Sequence, residues 1–420
     1  MPSRSVSERA VIFLIGAVQF VNVLDFMMVM PLAPYYSTAL GFDSSRNGLI
    51  AGSYTAAASI AGLLGGYFLD RFDRRKALAV SMLGLVMATA AGSLATGLHS
   101  LMLARVCAGI FGGPATSLSL TIVADIIPPE RRGKAMGAVM GAFSIAQVAG
   151  LPLSLMAANM GGWRAPFLGV SGMGLLVVLG AIFFLPPIRG HLEKASRPVH
   201  AVGVWELLGR RDVQLSYLMS ALVMMSSFVL VPNIPSYVVY NLGYPRDQLW
   251  HLYLAGGVMS LVTLRLAGSQ VDKLGAFRVG AVGVVLGAAL TYVGFVHYPS
   301  WFPIYGLFIG FMMAMGMRNV ATSTLATKVP EHAVRARFMS LQSAITHMAS
   351  SIASAVVSPM LLASLSDGSL TGIDTVAEVS IALALTVPFM ILVVERHLKA
   401  RAPAQAAAAV AVPALVPQKP

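Results

Sequence analysis

Long apolar stretches alternate with short polar segments along almost the whole chain. A helix needs about 20 mostly apolar residues to cross a lipid bilayer. Inside hydrocarbon every backbone polar group must be paired within the segment, which favours helices over open strands. The pattern therefore predicts an all-α integral membrane protein with twelve transmembrane helices. The apolar stretches lie at about 10–36, 46–69, 77–97, 101–126, 134–159, 164–186, 213–240, 247–271, 279–297, 301–327, 338–364 and 374–395.

The longest internal polar segment separates the sixth and seventh apolar stretches, at 187–212. It predicts a cytoplasmic loop that joins an N-terminal six-helix bundle, 1–186, to a C-terminal six-helix bundle, 213–398. The remaining residues, 399–420, are rich in Ala, Pro and Val and have no helical amphipathicity. This composition predicts a disordered cytoplasmic tail.

The two predicted bundles share a weak internal repeat. Gly66 and Asp70, after the second apolar stretch, recur as Gly268 and Asp272 after the eighth. Three other short matches lie at the same offset of 201 to 203 residues. Parallel six-helix repeats are typical of secondary transporters, whose substrate site lies near the membrane midplane between the repeats. We therefore expect two pseudo-symmetric bundles around a central cavity.

The composition agrees with this architecture and excludes a soluble fold. Charged residues make up 11% of the chain and hydrophobic residues 57%, and the mean hydropathy is +0.76. A soluble domain carries about 25% charged residues because it has a wet surface to cover. Cys107 is the single cysteine and the eight histidines are scattered, so no metal site is expected.

The net charge of +12 comes from 29 basic and 17 acidic residues. If the N-terminus is cytoplasmic, nearly all basic residues fall in inward segments, which is the positive-inside distribution. This predicts a multi-pass protein of the inner (cytoplasmic) membrane with both termini in the cytoplasm. Anionic lipid headgroups account for the excess charge, so no nucleic-acid partner is expected. The exceptions lie in outward segments, at Arg46, Arg164 and Arg246, or within spans, at Arg105, Arg265 and Arg318.

One loop segment carries a specific resemblance. The sequence from Gly66 to Lys76 is GYFLDRFDRRK. It is similar to the loop signature between spans two and three of the major facilitator superfamily. Asp73 stands where that signature usually has glycine, while the second copy does have Gly275. The resemblance covers essentially the whole chain up to about residue 398 and implies the twelve-helix fold predicted above.

Motifs in the first, fourth and fifth spans narrow the resemblance. Asn22-x-x-Asp25 resembles the first-span motif of twelve-helix drug/proton antiporters and sugar efflux proteins, and the surroundings of Arg105 are similar to the fourth-span motif. Gly141 and Gly150 have the antiporter-type spacing. The sequence that follows Gly150 departs from that motif and resembles the arabinose-efflux-permease branch, so strict antiport stays open.

Asp25 and Arg105 are the candidates for proton coupling. Ionisable groups inside a membrane are costly and usually mark a transport pathway. Burial favours the neutral form of a carboxyl group, so Asp25 could load and release a proton near neutrality. Arg105 is its expected partner. The alternatives are a purely structural aspartate and an arginine that extends to the outer headgroups.

Polar residues within the spans are candidates for the substrate cavity. Gln19, Asn22 and Asp25 are three residues apart and share one helix face. Arg318 could hold an anionic or polyhydroxyl substrate through several donors, or it could bond to free helix carbonyls. For the others, hydrogen bonds between helices, or a hinge at the kink of span seven, are equally possible. The cavity candidates are Gln19, Asn22, Gln147, Asn233, Arg318, Asn319, Gln342 and His347.

The resemblance also implies a gate at the cytoplasmic ends of the bundles. In the family, a charge cluster around the loop signature holds the cytoplasmic side shut. The alternative is that these charges only set the topology. The gating candidates are Gly66, Asp70, Arg74 and Asp125, with Gly268 and Asp272 in the second copy.

Together these features imply a secondary active transporter that exports a small sugar-like or drug-like solute by proton-coupled alternating access. A proton symporter that imports an organic solute is the alternative. A membrane enzyme is the rival from another class, but no nucleophile–base pattern or phosphate-binding Gly-x-x-x-x-Gly-Lys loop is present. We expect no enzymatic activity and no cofactor, with the proton gradient as the energy source. The expected partners are the substrate, protons and the bilayer, and we expect a monomer.

Overall fold

The computed structural model of the chain describes residues 8–186, 188, 204–330 and 334–411. Within these residues, twelve helices are long and apolar enough to cross a membrane, which confirms the predicted number. We call them spans 1 to 12. Their bounds are Glu8–Met28, Ser44–Gly65, Arg74–Ser93, Leu98–Ile126, Arg131–Gly161, Arg164–Phe184, Arg211–Asn241, Arg246–Leu274, Ala276–Val296, Ile304–Lys328, Arg337–Leu361 and Ile373–Ala400.

Shorter elements connect the spans. A helix at Ala33–Leu40 follows span 1, and a 3-10 turn at Leu69–Arg71 follows span 2. A helix at Val204–Gly209 precedes span 7. Two short strands, β1 (Ala363–Ser364) and β2 (Leu370–Thr371), pair antiparallel between spans 11 and 12.

Two predicted boundaries differ from the structure. The loop predicted at 187–212 contains a helix from Val204, and span 7 already begins at Arg211; residues 187 and 189–203 lie outside the described residues. The helix of span 12 continues to Ala411, so the disorder predicted from residue 399 does not hold for 399–411. Alanine fills most of this segment and has the highest helix propensity, and span 12 has already nucleated the helix. Residues 412–420 lie outside the described residues.

The spans pack through buried apolar faces and close glycine contacts. A Cβ at Gly109 of span 4 would meet the carbonyl oxygen of Tyr54 in span 2. A Cβ at Gly283 of span 9 would lie 2.9 Å from the backbone nitrogen of Arg318 in span 10. In a bilayer the hydrophobic effect does not drive helices together, so they associate by close packing. Small residues allow this because they let two helix backbones approach each other. Large apolar side chains such as Phe13 and Met160 are exposed on the outside, where a lipid-facing surface requires them.

Four of the spans contain π-helical turns, at Ala146–Gly150, Tyr237–Asn241, Tyr292–Val296 and Ile352–Val357. Such wider turns are rare in helices and often occur at functional sites. The turns in spans 5 and 11 lie where the two halves meet. They face glycines in spans 8 and 2 respectively.

The halves meet through two pairs of spans, 2 with 11 and 5 with 8. In the first pair, a Cβ at Gly52 would lie 2.5 Å from Ala355 Cβ, and one at Gly48 would meet the Ser354 carbonyl oxygen. In the second pair, a Cβ at Gly257 would lie 2.7 Å from the Gln147 carbonyl oxygen. These contacts join the halves toward the end of the molecule that carries the turns at 41–46 and 242–248. We call this end the closed end.

Asp73, the departure from the family signature, fastens the loop before span 3 to the end of span 6. Its Oδ1 accepts hydrogen bonds from Arg75 N at 2.9 Å, as an N-cap, and from Ile188 N at 3.3 Å. Arg74 N donates to the Ile188 carbonyl oxygen at 3.2 Å, and Arg75 Nη1 to the Leu185 carbonyl oxygen at 3.1 Å. The side chain therefore positions the start of the central loop as well as the helix.

We expect Asp73→Ala to lower the free energy of unfolding by about 1 kcal/mol, the usual cost of losing an N-cap acceptor. Asp73→Asn keeps an acceptor and is the matched control. Asp73→Gly, which places the usual family residue here, should cost only a few tenths of a kcal/mol at the cap. The midpoint of thermal unfolding of purified protein measures all three. An alanine variant as stable as the wild type would contradict the capping role.

Candidate functional site

Asp25 and Arg105 form a salt bridge inside the N-terminal bundle. Arg105 Nη1 lies 2.9 Å from Asp25 Oδ1, and Nη2 lies 3.0 Å from Oδ2. Thr89 Oγ1 of span 3 donates to the same Oδ1 at 2.6 Å. Asp25 is 0% exposed and Arg105 1%. The carboxylate is thus held by three charge-assisted hydrogen bonds, two of them in the paired geometry that suits a guanidinium.

Aromatic rings surround this ion pair. The guanidinium carbon of Arg105 lies 4.7 Å from the ring centroid of Tyr54. Phe26 stacks on Tyr54 at 5.2 Å and on Phe228 of span 7, in the other half, at 6.1 Å. Burial among apolar groups strengthens the attraction within the pair and makes the loss of either charge costly.

The structure brings Asp25 and Arg105 together, as the motif comparison predicts. Arg105 does not extend to the outer headgroups, because its side chain is buried and bound to the carboxylate of Asp25. The role of the pair in proton coupling stays a prediction.

Asn22, on the same helix face, has its amide committed to neighbours in its own bundle. Nδ2 donates to the Gly112 carbonyl oxygen at 2.9 Å and to Thr116 Oγ1 at 2.6 Å, and Oδ1 accepts from Tyr54 Oη at 3.1 Å. The geometry is that of a bond between helices. Gln19, one turn earlier, is 5% exposed, and its Oε1 has no partner among the described residues. Of these two amides, Gln19 is the one whose oxygen has no hydrogen-bond donor among the described residues.

Three cavity candidates in the second half bond to serines of their own bundle. Asn233 Nδ2 donates to Ser358 Oγ at 2.7 Å, next to the kink of span 7. Gln342 Nε2 donates to Ser220 Oγ at 3.0 Å. The third is Arg318, which donates to two serines of span 7. The side chains therefore point into the C-terminal bundle, and contact with a substrate stays a prediction for each.

The remaining cavity candidates lie partly exposed. Asn319 Oδ1 accepts a long hydrogen bond of 3.4 Å from Arg318. Gln147 lies in the π-helical turn of span 5, and its backbone is in contact with span 8 at Gly257. His347 of span 11 is half-buried and forms no hydrogen bond with another described residue. These three side chains, like that of Gln342, are intermediate between buried and exposed.

The predicted gating residues are only partly assembled. Arg74 Nε lies 3.5 Å from Asp125 Oδ2, so the first-copy ion pair is present. Asp70 lies in the turn Leu69–Arg71, but its side chain and the surroundings of Gly66 are outside the described part of the structure.

In the second copy, Asp272 is exposed near the end of span 8 and forms no ion pair with a described side chain. Gly268 lies in the same helix, and a Cβ there would meet nothing within 4 Å. Gating by these residues stays a prediction.

Hydrogen bonds that the sequence motifs do not indicate form a latch at the closed end, which joins the helix Ala33–Leu40 to Arg246, the first residue of span 8. Tyr35 Oη lies 2.6 Å from Asn159 Oδ1 and 2.7 Å from the Arg246 carbonyl oxygen. The Arg246 guanidinium stacks 5.0 Å from the Tyr35 ring centroid. Tyr240 Oη donates to the Pro34 carbonyl oxygen at 3.0 Å. Tyrosines after the repeated Pro-x-x-Pro motifs, Tyr35 and Tyr237, are the sequence signal nearest to this latch.

The family described as Major Facilitator Superfamily matches residues 15–355. Multidrug resistance protein 2 of Bacillus subtilis (strain 168) is 24% identical over 305 residues, 70% of this chain and 75% of that protein. Purine ribonucleoside efflux pump NepI of Escherichia coli O157:H7 is 24% identical over 245 residues, 58% of this chain and 60% of that pump.

A solved structure supports the fold independently. The crystal structure of a bacterial homologue of the human lysosomal transporter Spinster, in an inward-facing and unoccupied conformation, superposes with a TM-score of 0.75. The identity is 16%, and the match covers 93% of this chain and 97% of that one. The sequence match and the twelve-span fold lead to one conclusion. This chain belongs to the Major Facilitator Superfamily and is a secondary active transporter of small solutes.

Proposed function

We propose that this protein exports a small organic solute in exchange for protons by alternating access. The observation that carries the proposal is the Asp25 carboxylate, fully buried and bound by Arg105 and Thr89. A single titratable carboxylate within a transporter bundle can couple proton binding to conformation if its protonated and ionised forms favour different states. Both curated relatives reported above are named for resistance or efflux, which favours export over import.

Protonation would act through the contacts that Asp25 makes. An ionised Asp25 satisfies two Arg105 donors and the Thr89 hydroxyl in the state described. A protonated carboxyl group loses its attraction for the guanidinium and must find an acceptor for its new proton. The two protonation states therefore differ in the stability of the N-terminal bundle around spans 1, 3 and 4. A proton gradient shifts the balance between conformations only as far as these contacts, and with them the affinity for the proton, differ between the inward-open and outward-open states.

The orientation of the chain in the membrane determines the side from which solute would enter. With both termini in the cytoplasm, as the basic residues predict, the closed end faces outward and the described state opens inward. Solute would enter from the cytoplasm, and the closed end would then part to release it. The proton gradient supplies the energy, and a monomer with no cofactor suffices.

The test is transport in proteoliposomes that contain the purified protein. A panel of labelled sugars, nucleosides and cationic drugs is screened with an imposed pH gradient and without ATP. We expect uphill movement of a panel member opposite to the proton flow, lost when a protonophore collapses the gradient. Uphill movement in the same direction as protons would instead indicate a symporter. Equal transport with and without the gradient would reject proton coupling.

A further inference from the structure

Arg318 is a permanent cation at the middle of span 10 with no anionic partner among the described residues. It is 6% exposed. Nη1 donates to Ser226 Oγ at 3.0 Å, and Nη2 donates to Ser227 Oγ at 2.7 Å. Nε–H has no hydrogen-bond acceptor among the described residues. A guanidinium has five donors and stays protonated in proteins, so donors and charge both remain unsatisfied.

The serines cannot neutralise this charge. Each hydroxyl uses its own proton on the Val223 carbonyl oxygen, at 3.0 Å from Ser226 and 2.9 Å from Ser227. Each therefore presents only lone pairs to Arg318, and both are neutral. The contrast with Arg105 is direct, because that guanidinium lies on a carboxylate. Buried charges in proteins are normally paired, since an isolated one loses its hydration without compensation.

A small cavity lies beside this cation. Its volume is about 30 Å³, and spans 7, 9, 10 and 12 of the C-terminal bundle line it. The polar part of the wall includes Arg318, Ser226, Ser227 and Thr291, and the rest of the wall is largely apolar, with Phe311 and Ala314 in span 10. A cavity needs about 10–15 Å³ of such volume to hold one water molecule, so the space beside Arg318 is large enough for a compact ion or a small charged group.

We propose that this cavity binds a compact monovalent anion, a halide ion or a carboxylate group of similar size. The anion lies against the guanidinium of Arg318 and accepts hydrogen bonds from the donors that have no partner. Because the cavity lies inside one bundle, the site is separate from Asp25 and Arg105. The proposal does not depend on the direction or the coupling of transport.

The test is a thermal-unfolding titration of the detergent-purified protein, followed by the intrinsic fluorescence of its four tryptophans. Chloride, bromide or formate replaces gluconate at constant ionic strength, so that only a bound anion changes the midpoint. We expect a saturable rise in the unfolding temperature, because a ligand that binds the folded state stabilises it by mass action. A rise with halides indicates a resident ion. A rise with formate alone indicates a carboxylate group of the transported solute.

Three variants test whether the anion-dependent rise in unfolding temperature comes from the cavity beside Arg318. Arg318→Gln should abolish the saturable rise. Ser227→Ala keeps the charge but removes one guanidinium partner, and should shift the half-saturating concentration by severalfold. It also keeps the test valid if Arg318→Gln fails to fold. Arg265→Gln, which changes an exposed arginine of span 8, is the matched control and should respond as the wild type does.

Some outcomes of the titration would contradict an anion site at Arg318. A response that does not saturate with any anion, or one that Arg318→Gln retains in full, overturns the proposal. A Ser227→Ala response identical to the wild type, together with loss of folding in Arg318→Gln, overturns it as well. Bromide soaked into crystals gives an independent check, since its anomalous signal should lie beside the guanidinium and vanish in the Arg318 variant.

Discussion

Proton-driven transport is expected to fall to the level of empty liposomes when Asp25 is replaced by asparagine. Asparagine has nearly the same shape but neither binds nor releases a proton. The variant therefore keeps the bundle filled while it removes the carboxylate that binds Arg105. Facilitated movement of solute down its own gradient should persist, because that process needs no proton.

Loss of coupling has to be separated from loss of folding. Asp25→Asn leaves the Arg105 guanidinium buried without a counter-charge, and breaking a buried pair on one side costs about 3–5 kcal/mol. The double variant Asp25→Asn with Arg105→Gln removes both charges and is expected to recover most of that stability. It should remain uncoupled. Uphill transport in the double variant would show that Asp25 does not carry the proton.

Thr89→Val provides a graded control in the same site. It removes the hydroxyl that donates to Asp25 Oδ1 at 2.6 Å and leaves the salt bridge intact. The carboxylate and its two bonds to Arg105 remain, so the coupling group is still present. We therefore expect coupled transport to persist at a reduced rate, in contrast to Asp25→Asn. The initial rate of uphill transport under an imposed pH gradient measures the reduction.

Gly48→Ala is expected to reduce transport because the added methyl group prevents close contact of spans 2 and 11 at the closed end. A Cβ at this position would meet the Ser354 carbonyl oxygen, which belongs to the backbone and cannot rotate away. Overpacking costs about 1–3 kcal/mol, and 1.4 kcal/mol corresponds to about tenfold in an equilibrium constant. The penalty applies only to the state in which spans 2 and 11 touch. The protein should therefore shift toward the state that is open at this end.

Gly62→Ala is the matched control, because it lies on the same helix and a Cβ there would meet nothing within 4 Å. The conformational shift is measured as the distance between spin labels at Asp43 and Gln248, with Cys107 replaced by serine. We expect a longer distance in Gly48→Ala than in Gly62→Ala and the wild type. Equal distances and equal transport rates in the two variants would show that this contact does not control closure.

The fold was largely readable from the apolar pattern. Span number and approximate bounds follow because the bilayer demands about 20 apolar residues per helix and leaves the backbone no other pairing. The disordered tail was misjudged because flanking structure extended an alanine-rich helix to Ala411. The pairing of Asp25 with Arg105 was predicted from motifs, and the structure supplied its geometry.

The hydrogen-bond partners of the polar side chains depended on how each helix is rotated about its own axis. Asn22 and Asp25 share one face of span 1, yet one bonds to backbone and hydroxyl groups and the other to a guanidinium. The partners lie on other spans, up to 94 residues away in the chain. Spacing along one helix does not encode such partners, because they depend on how neighbouring helices pack.

Membrane insertion acts on each segment separately, so apolar spacing and basic residues alone predicted twelve spans in two halves. The resemblance to a transporter family rested on motifs, above all the segment from Gly66 to Lys76. Contacts between segments depend on depth, rotation and the gaps left by glycine. Only the folded chain therefore showed that Gly48 and Gly257 close one end, and that Arg318 points into its own bundle beside a small cavity. The physical reason is that packing energy is shared among helices, whereas insertion energy belongs to each helix alone.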